Sequence, residues 1–150
     1  MKARASAVWL AVMSSCLLSA GFGLVREATA KDHHVVCTNA SLNGPYGFYR
    51  TGSTPAGPLA ALGSLTFDGK GVVTGSQSVS RNGAYTFDVP IMGPYVLNED
   101  CTGKLLAPDG VTEVARVVVT HRGRGFYIMS ESAGNAVYGV GRRIDVSDDD

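Results

Sequence analysis

Charged and aromatic residues are scarce in this sequence, and the charges that it does contain cancel. Only 17% of its 150 residues are charged and 8% are aromatic, and 13 basic side chains balance 13 acidic ones. This balance excludes a polybasic nucleic-acid binder and an acidic disordered tail protein. Long helix-forming stretches are missing as well, whereas 19 residues are glycine. The composition therefore favours one small all-β domain over a helical or α/β enzyme.

The first 30 residues have the pattern of a secretory signal peptide. Lys2 and Arg4 precede an apolar run from Ala5 to Val25, and Ala28-Thr29-Ala30 matches the small-x-small motif read by signal peptidase. We therefore predict a secreted or periplasmic protein with no membrane span after cleavage. Two alternatives stay open: a retained membrane anchor, and a lipoprotein cut at Cys16 after a poor lipobox.

Two cysteines, Cys37 and Cys101, remain once the predicted signal peptide is removed. An exported chain with two cysteines most simply forms one disulfide. This bond would close a loop of roughly 65 residues and stabilise the fold by about 4 kcal/mol through lost chain entropy. A reactive thiol or a metal-binding pair is the alternative.

Short apolar runs that alternate with period two, separated by turn pairs such as Asn43-Gly44 and Asp68-Gly69, predict a series of β-strands. The predicted strands are 45–51, 60–68, 71–80, 84–89, 93–98, 103–107, 111–120, 124–131 and 136–143. Residues 53–59 and 90–94 are predicted as longer loops. A meander of eight or nine strands must close or fold into two sheets to hide its edges.

The predicted fold class is therefore all-β, a small antiparallel closed β-barrel of about eight strands in a meander, following an N-terminal signal peptide. A two-sheet sandwich is the alternative. The predicted organisation is a signal peptide at 1–30, a leader at 31–40, the barrel at 41–144 and an acidic tail at 145–150.

Three segments carry a resemblance to a known group: Leu42 to Phe48, Gly63 to Gly71 and Gly93 to Gly103. Together they resemble a group of exported, uncharacterised bacterial domains that is similar to the allene oxide cyclase barrel. The resemblance covers most of residues 40–142 and implies a calycin-like closed barrel and export. It implies no activity, because no residues match the catalytic constellation of the plant cyclases.

Sequence patterns of enzyme active sites are also missing. There is no Gly-x-Ser-x-Gly elbow, His-Glu-x-x-His motif, phosphate-binding loop or dinucleotide fingerprint, so we predict no catalytic residues and no cofactor. His121, the one histidine inside the predicted fold, is interpreted as a solvated turn residue. Glu113 and His121 share a strand face but lie about 26 Å apart at roughly 3.3 Å per residue, too far for an acid–base pair.

The strand 111–120 has the clearest alternation, with Ala115, Val117 and Val119 on one face. If that face points inward, the middle of the barrel is aliphatic and dry. This suits either a packed core or a small apolar ligand.

Four arginines are predicted to meet at one end of the barrel: Arg122, Arg124, Arg142 and Arg143. They come together if strands 124–131 and 136–143 pair about Ala133-Gly134. Such a cluster could bind an anion, although the acidic residues that follow could compensate it instead.

The predicted mature N-terminus offers a metal site. A chain that begins Lys31-Asp32-His33 gives copper(II) or nickel(II) four nitrogens in a plane: the amine, two amides and the His33 imidazole. His34 is a further candidate ligand. A disordered polar leader is the alternative.

Three classes of function remain open from the sequence. The first is a non-enzymatic barrel that binds a small apolar ligand or an envelope partner. The second is an isomerase or cyclase working in a barrel cavity, which would need a buried polar group such as Glu113 or Asp88. The third is metal binding at Lys31-Asp32-His33. The sequence leaves the oligomeric state and the ligand open.

Overall fold

The computed structural model describes residues 35–145, which form a closed barrel of eight antiparallel strands. Each strand pairs with the next one along the chain, and the last returns to pair with the first, which confirms the predicted fold class. The strands are β1 (Asn43–Thr54), β2 (Gly57–Asp68), β3 (Val72–Arg81), β4 (Ala84–Leu97), β5 (Thr102–Leu106), β6 (Glu113–Thr120), β7 (Gly125–Ser130) and β8 (Ala136–Arg143). Two short 3₁₀ turns lie at Asn39–Ser41 and His121–Gly123.

Several predictions concern residues that lie outside this range. They are the signal peptide, Cys16, the metal ligands His33 and His34, and the acidic tail beyond Asp145. Within residues 35–145, no helix has the length and apolar character needed to cross a membrane.

Both predicted loops are wrong, because the strands continue through them. Residues 90–94 lie inside β4, so the predicted strands 84–89 and 93–98 are one, and 53–59 shrinks to a turn at Pro55-Ala56. The prolines in these two segments led to the loop predictions, because proline lacks the N–H that a strand donates to its neighbour. Here the first part of β4 pairs only with β3, because β5 joins β4 only at Tyr95 to Leu97. Pro90 is tolerated because the edge of β4 that faces β5 is unpaired at this position.

One end of the barrel is closed by a cluster of four buried aromatic rings, which we call the aromatic end. The centroid of the Phe67 ring lies 5.3 Å from that of Tyr46, 5.0 Å from that of Tyr95 and 5.6 Å from that of Phe126. Each of these pairs packs edge to face. Such edge-to-face contacts stabilise the fold by more than the burial of their apolar area alone. Alternation along β1, β2, β4 and β7 places these rings inside.

Hydrogen bonds fasten the aromatic end to the chain that crosses it. The Tyr95 hydroxyl lies 2.8 Å from the Asn39 carbonyl and 3.0 Å from that of Leu42, and it donates to this pair of acceptors. The Tyr46 hydroxyl donates to the carbonyl of Gly123. Leu42 is fully buried above the rings. This end of the barrel is therefore sealed by packing and by satisfied polar groups.

The structure joins Cys37 and Cys101 in a disulfide across 64 residues of sequence, the pairing that the sequence predicts. The bond ties the segment before β1 to the turn between β4 and β5. The amide of Cys37 also donates to the carbonyl of Glu99 at 3.0 Å. Both links hold the N-terminal segment against the aromatic end.

Candidate functional site

A cavity of about 460 Å³ lies inside the barrel beside the aromatic end. Its walls are apolar because inward positions of six different strands carry aliphatic or aromatic side chains. The inner wall comprises Phe48, Leu65, Val73, Leu105, Ala115 and Ile128. The face of Ala115, Val117 and Val119 is buried, so the condition under which the sequence predicts an aliphatic barrel interior is met.

The cavity opens where β4 and β5 separate. β4 has 14 residues, yet it pairs with β5 through only three of them, Tyr95 to Leu97. The rim beyond this point consists of Pro90, Met92, Pro108 and Val114. Of these, Met92 is 63% exposed. An exposed apolar side chain at the edge of an apolar cavity is typical of a ligand entrance.

The loop on the other side of this opening is held by Asp109. Its Oδ1 accepts hydrogen bonds of 2.9 Å from the amides of Val111 and Thr112. The hydrogen bond from the Thr112 hydroxyl is the main cause that lowers the pKa of the Asp109 carboxyl, and the two amide hydrogen bonds lower it further. The rim of the cavity is therefore a defined turn that follows β5.

Two polar side chains lie at the inner limit of the cavity, Arg50 from β1 and Gln77 from β3. Gln77 is 8% exposed, and its Oε1 accepts a hydrogen bond of 2.9 Å from the Arg50 guanidinium. The Nε of Arg50 is buried, and no group of residues 35–145 accepts a hydrogen bond from it. Burial lowers the pKa of Arg50, and the nearby charge of Arg81 lowers it further.

A second cavity of about 440 Å³ adjoins the first at these residues. Arg50 and Gln77 line both, and Arg81 and Thr86 line the second. Arg81 is exposed at this second cavity, and its charge lies near that of the partly buried Arg50. Among residues 35–145, neither lining contains an aspartate or a glutamate.

The carboxyl groups that an isomerase would need lie elsewhere. Glu113 forms ion pairs with Lys104 at 2.8 Å and with Arg116 at 2.6 Å, and the hydrogen bond from Lys104 is the main reason that its pKa is lowered. Asp88 is exposed on β4. In the part of the chain that the structure describes, no cluster of three His, Cys, Asp or Glu side chains could hold a metal ion.

The four arginines predicted to cluster lie on exposed turns and strand ends at the aromatic end, away from the cavity. Gly125 pairs with Arg142, and the Arg143 amide donates to the Arg124 carbonyl at 2.9 Å. The Arg124 side chain lies 3.5 Å from a carboxylate oxygen of Asp145, so the acidic segment compensates at least this charge. Anion binding by these arginines stays a prediction. His121 is exposed at the neighbouring turn.

Arg50 and Gln77 were not singled out from the sequence, although a signal for Arg50 existed. It continues the period-two series of Tyr46 and Phe48, so it had to point inward if they did. Arg50 lies within the predicted strand 45–51, but a charged side chain at an inward position is not expected from alternation alone. In the structure β1 continues to Thr54, which places Arg50 inside.

Comparison with known proteins gives a fold likeness and no family. No family model matches the sequence, and no curated protein matches it. Among solved structures, the chain is similar to a de novo designed fluorescence-activating β-barrel, at 13% identity and a TM-score of 0.41, over 69% of this chain and 94% of that one. The resemblance to the allene oxide cyclase barrel therefore stays a prediction.

Proposed function

We propose that this protein is an exported, non-enzymatic binding module that holds a small apolar molecule in its barrel. The observation that carries the proposal is the apolar cavity of about 460 Å³ that opens between β4 and β5. Ligand cavities in proteins commonly measure about 300–1,000 Å³ and have mainly hydrophobic walls. Both properties apply here.

The empty space follows from small residues on the inner wall. Ala115 on β6 lines the cavity, where a larger aliphatic side chain would fill it. Protein interiors are normally packed as densely as organic crystals, and unfilled space forfeits dispersion energy. A cavity of this size beside a tightly packed aromatic end therefore favours a binding role over a purely structural one.

Binding is favoured over catalysis by the chemistry of the lining. Among residues 35–145, the ionisable side chains that line the two cavities are Arg50 and Arg81, which offer positive charge but no general base. The Cys37–Cys101 disulfide supports export, because such bonds persist in oxidising compartments.

The proposal is tested by titrating the oxidised protein with N-phenyl-1-naphthylamine, a neutral probe that fluoresces in apolar surroundings. We expect saturable binding of one probe per chain. Ala115→Phe places a ring in the cavity, and we expect at least a tenfold loss of affinity. Val118→Phe is the matched control, because Val118 lies on the outer face of the same strand and is 45% exposed.

Circular dichroism and thermal melting establish that both variants are folded. Saturable binding that A115F retains at full affinity would place the probe outside the cavity and refute the proposal. Absence of saturable binding to the wild type would also refute it.

A further inference from the structure

We infer that the bound molecule is an apolar acid, whose carboxylate is held by Arg50 and Arg81 while its apolar part occupies the cavity. The inference rests on the proposed function and specifies the class of ligand.

Arg50 is a partly buried cation with a buried Nε, and its hydrogen-bond partner is a neutral amide. It forms no ion pair with any carboxylate of residues 35–145, and its buried Nε has no acceptor there. Burying a charge without an opposite charge costs several kcal/mol, so such groups are normally paired. An anion in the cavity would supply the missing charge and the missing acceptor.

Other cations of this barrel show the ordinary arrangement. Lys104 and Arg116 share Glu113, and Arg124 faces Asp145, although the side chains of Arg116 and Arg124 are 56% and 70% exposed. Solvated cations have little need of a partner. Arg50 is more buried than Arg116 and Arg124, and it lacks the carboxylate that they have.

Arg81 makes the same region more positive. Its charge contributes to the lowered pKa of Arg50, which means that the two cations repel each other in the absence of an anion. Arg81 is itself exposed, but two like charges near each other are unfavourable unless something negative lies between or beside them. A carboxylate suits this region because its two oxygens match the planar donor fork of a guanidinium.

The positions of Arg50 and Gln77 also determine the orientation of the ligand in the cavity. Arg50 and Gln77 line both cavities, so they stand at the boundary between them. The hydrogen bond from Arg50 to Gln77 orients the guanidinium in this position. The carboxylate then lies at the boundary, and the apolar part extends past Phe48 and Ile128 towards the opening at Met92.

The experiment measures how well decanoate and 1-decanol displace pre-bound N-phenyl-1-naphthylamine. Both have the same chain, and only decanoate is charged. We expect the wild type to bind decanoate at least tenfold more tightly than decanol. Arg50→Met should remove this preference and leave decanol binding unchanged, and Arg81→Met should reduce the preference. Arg116→Met, which removes an outer arginine of β6, is the control and should behave like the wild type.

A second measurement uses only the wild type. As pH falls below about 5, decanoate takes up a proton and its preference over decanol should disappear. Among residues 35–145, neither cavity is lined by a carboxyl or imidazole side chain, which are the groups that would titrate in this range. The loss of preference therefore reports the charge of the ligand.

The outcomes separate the inference from the proposed function. If decanol and decanoate bind equally well, or if R50M retains the preference, the cavity binds apolar molecules without recognising an acid and the inference is overturned. If the probe binds but neither compound displaces it, the inference is overturned too. If the probe itself does not bind, the proposed function fails, and the inference fails with it.

Discussion

The guanidinium of Arg50 donates to Oε1 of Gln77 across 2.9 Å, and this contact joins β1 to β3 through the inside of the barrel. A neutral amide satisfies one donor but does not neutralise the charge. Without an anion, the barrel therefore contains a partly buried positive charge that lowers the stability of the fold. Residues that bind a ligand commonly lower the stability of the protein, because the side chain that suits binding is often not the one that gives the most stable fold.

Arg50→Met should therefore stabilise the unliganded protein. We expect the free energy of unfolding to rise by about 1 kcal/mol, because removing a partly buried, unpaired charge outweighs the hydrogen bond that Gln77 loses. Urea denaturation measures this. Arg116→Met on the outer surface should change stability by less than about 0.5 kcal/mol. A loss of more than about 1 kcal/mol in R50M would show that the folded protein already satisfies this guanidinium.

The disulfide should account for a large part of the stability of the barrel. Replacing both Cys37 and Cys101 by serine frees a loop with a sequence separation of 64. The chain-entropy model gives a cost of about 4 kcal/mol for a loop of this length. Comparing urea denaturation of the oxidised wild type and the double variant measures it. A difference below about 1 kcal/mol would mean that the unfolded chain stays compact without the bond.

The closed barrel follows from two features that a sequence displays directly. Period-two alternation gave the inward face of β6, where Ala115, Val117 and Val119 are buried. Turn pairs such as Asp68-Gly69 gave the spacing between strands. A meander of that many short strands has few ways to hide its edges, so closure could be predicted as well.

The cavity could not be predicted in the same way. Its opening depends on where β4 parts from β5, and that is a property of long-range pairing which no local pattern records. Its polar end depends on Arg50, which lies inside the predicted strand 45–51 and shares the inward face of Tyr46 and Phe48. A charged residue on an inward face breaks the apolar alternation by which that face is recognised, so the pattern did not mark it as part of the interior.

Gly139 allows β8 to approach β1 beside Arg50, and we expect Gly139→Ala to be strongly destabilising. A Cβ there would lie 2.1 Å from the carbonyl oxygen of Tyr49 and 2.7 Å from the Cα of Arg50. Both atoms are backbone, so neither can move without shifting β1. We expect a loss of about 3 kcal/mol in urea denaturation.

Gly110→Ala is the control for Gly139→Ala. Gly110 has a φ of +74° with nothing within 4 Å of an added Cβ, so it reports backbone strain alone. That strain costs about 1 kcal/mol. Equal losses in the two variants would show that β8 can move away from β1 at little cost.

The phenol of Tyr95 should make the barrel sensitive to high pH. Burial is the main cause that raises its pKa from 10.0 to about 12. The folded state therefore holds the proton more tightly than the unfolded state does. This stabilisation is complete below about pH 10 and is lost as pH rises towards 12, at no more than about 1.4 kcal/mol per pH unit for this group. Tyr46, whose pKa burial also raises, adds to the same trend.

Tyr95→Phe separates this effect from general alkaline unfolding. At pH 8 the variant should be less stable by about 1 kcal/mol, because its ring no longer donates to the carbonyls of Asn39 and Leu42. Between pH 10 and 11 its stability should fall less steeply than that of the wild type, since one ionising group is gone. Phe67→Leu is the control: it weakens the same cluster but retains both phenols, so its slope should match the wild type. Parallel slopes in all three proteins would exclude Tyr95 as the source of the alkaline loss.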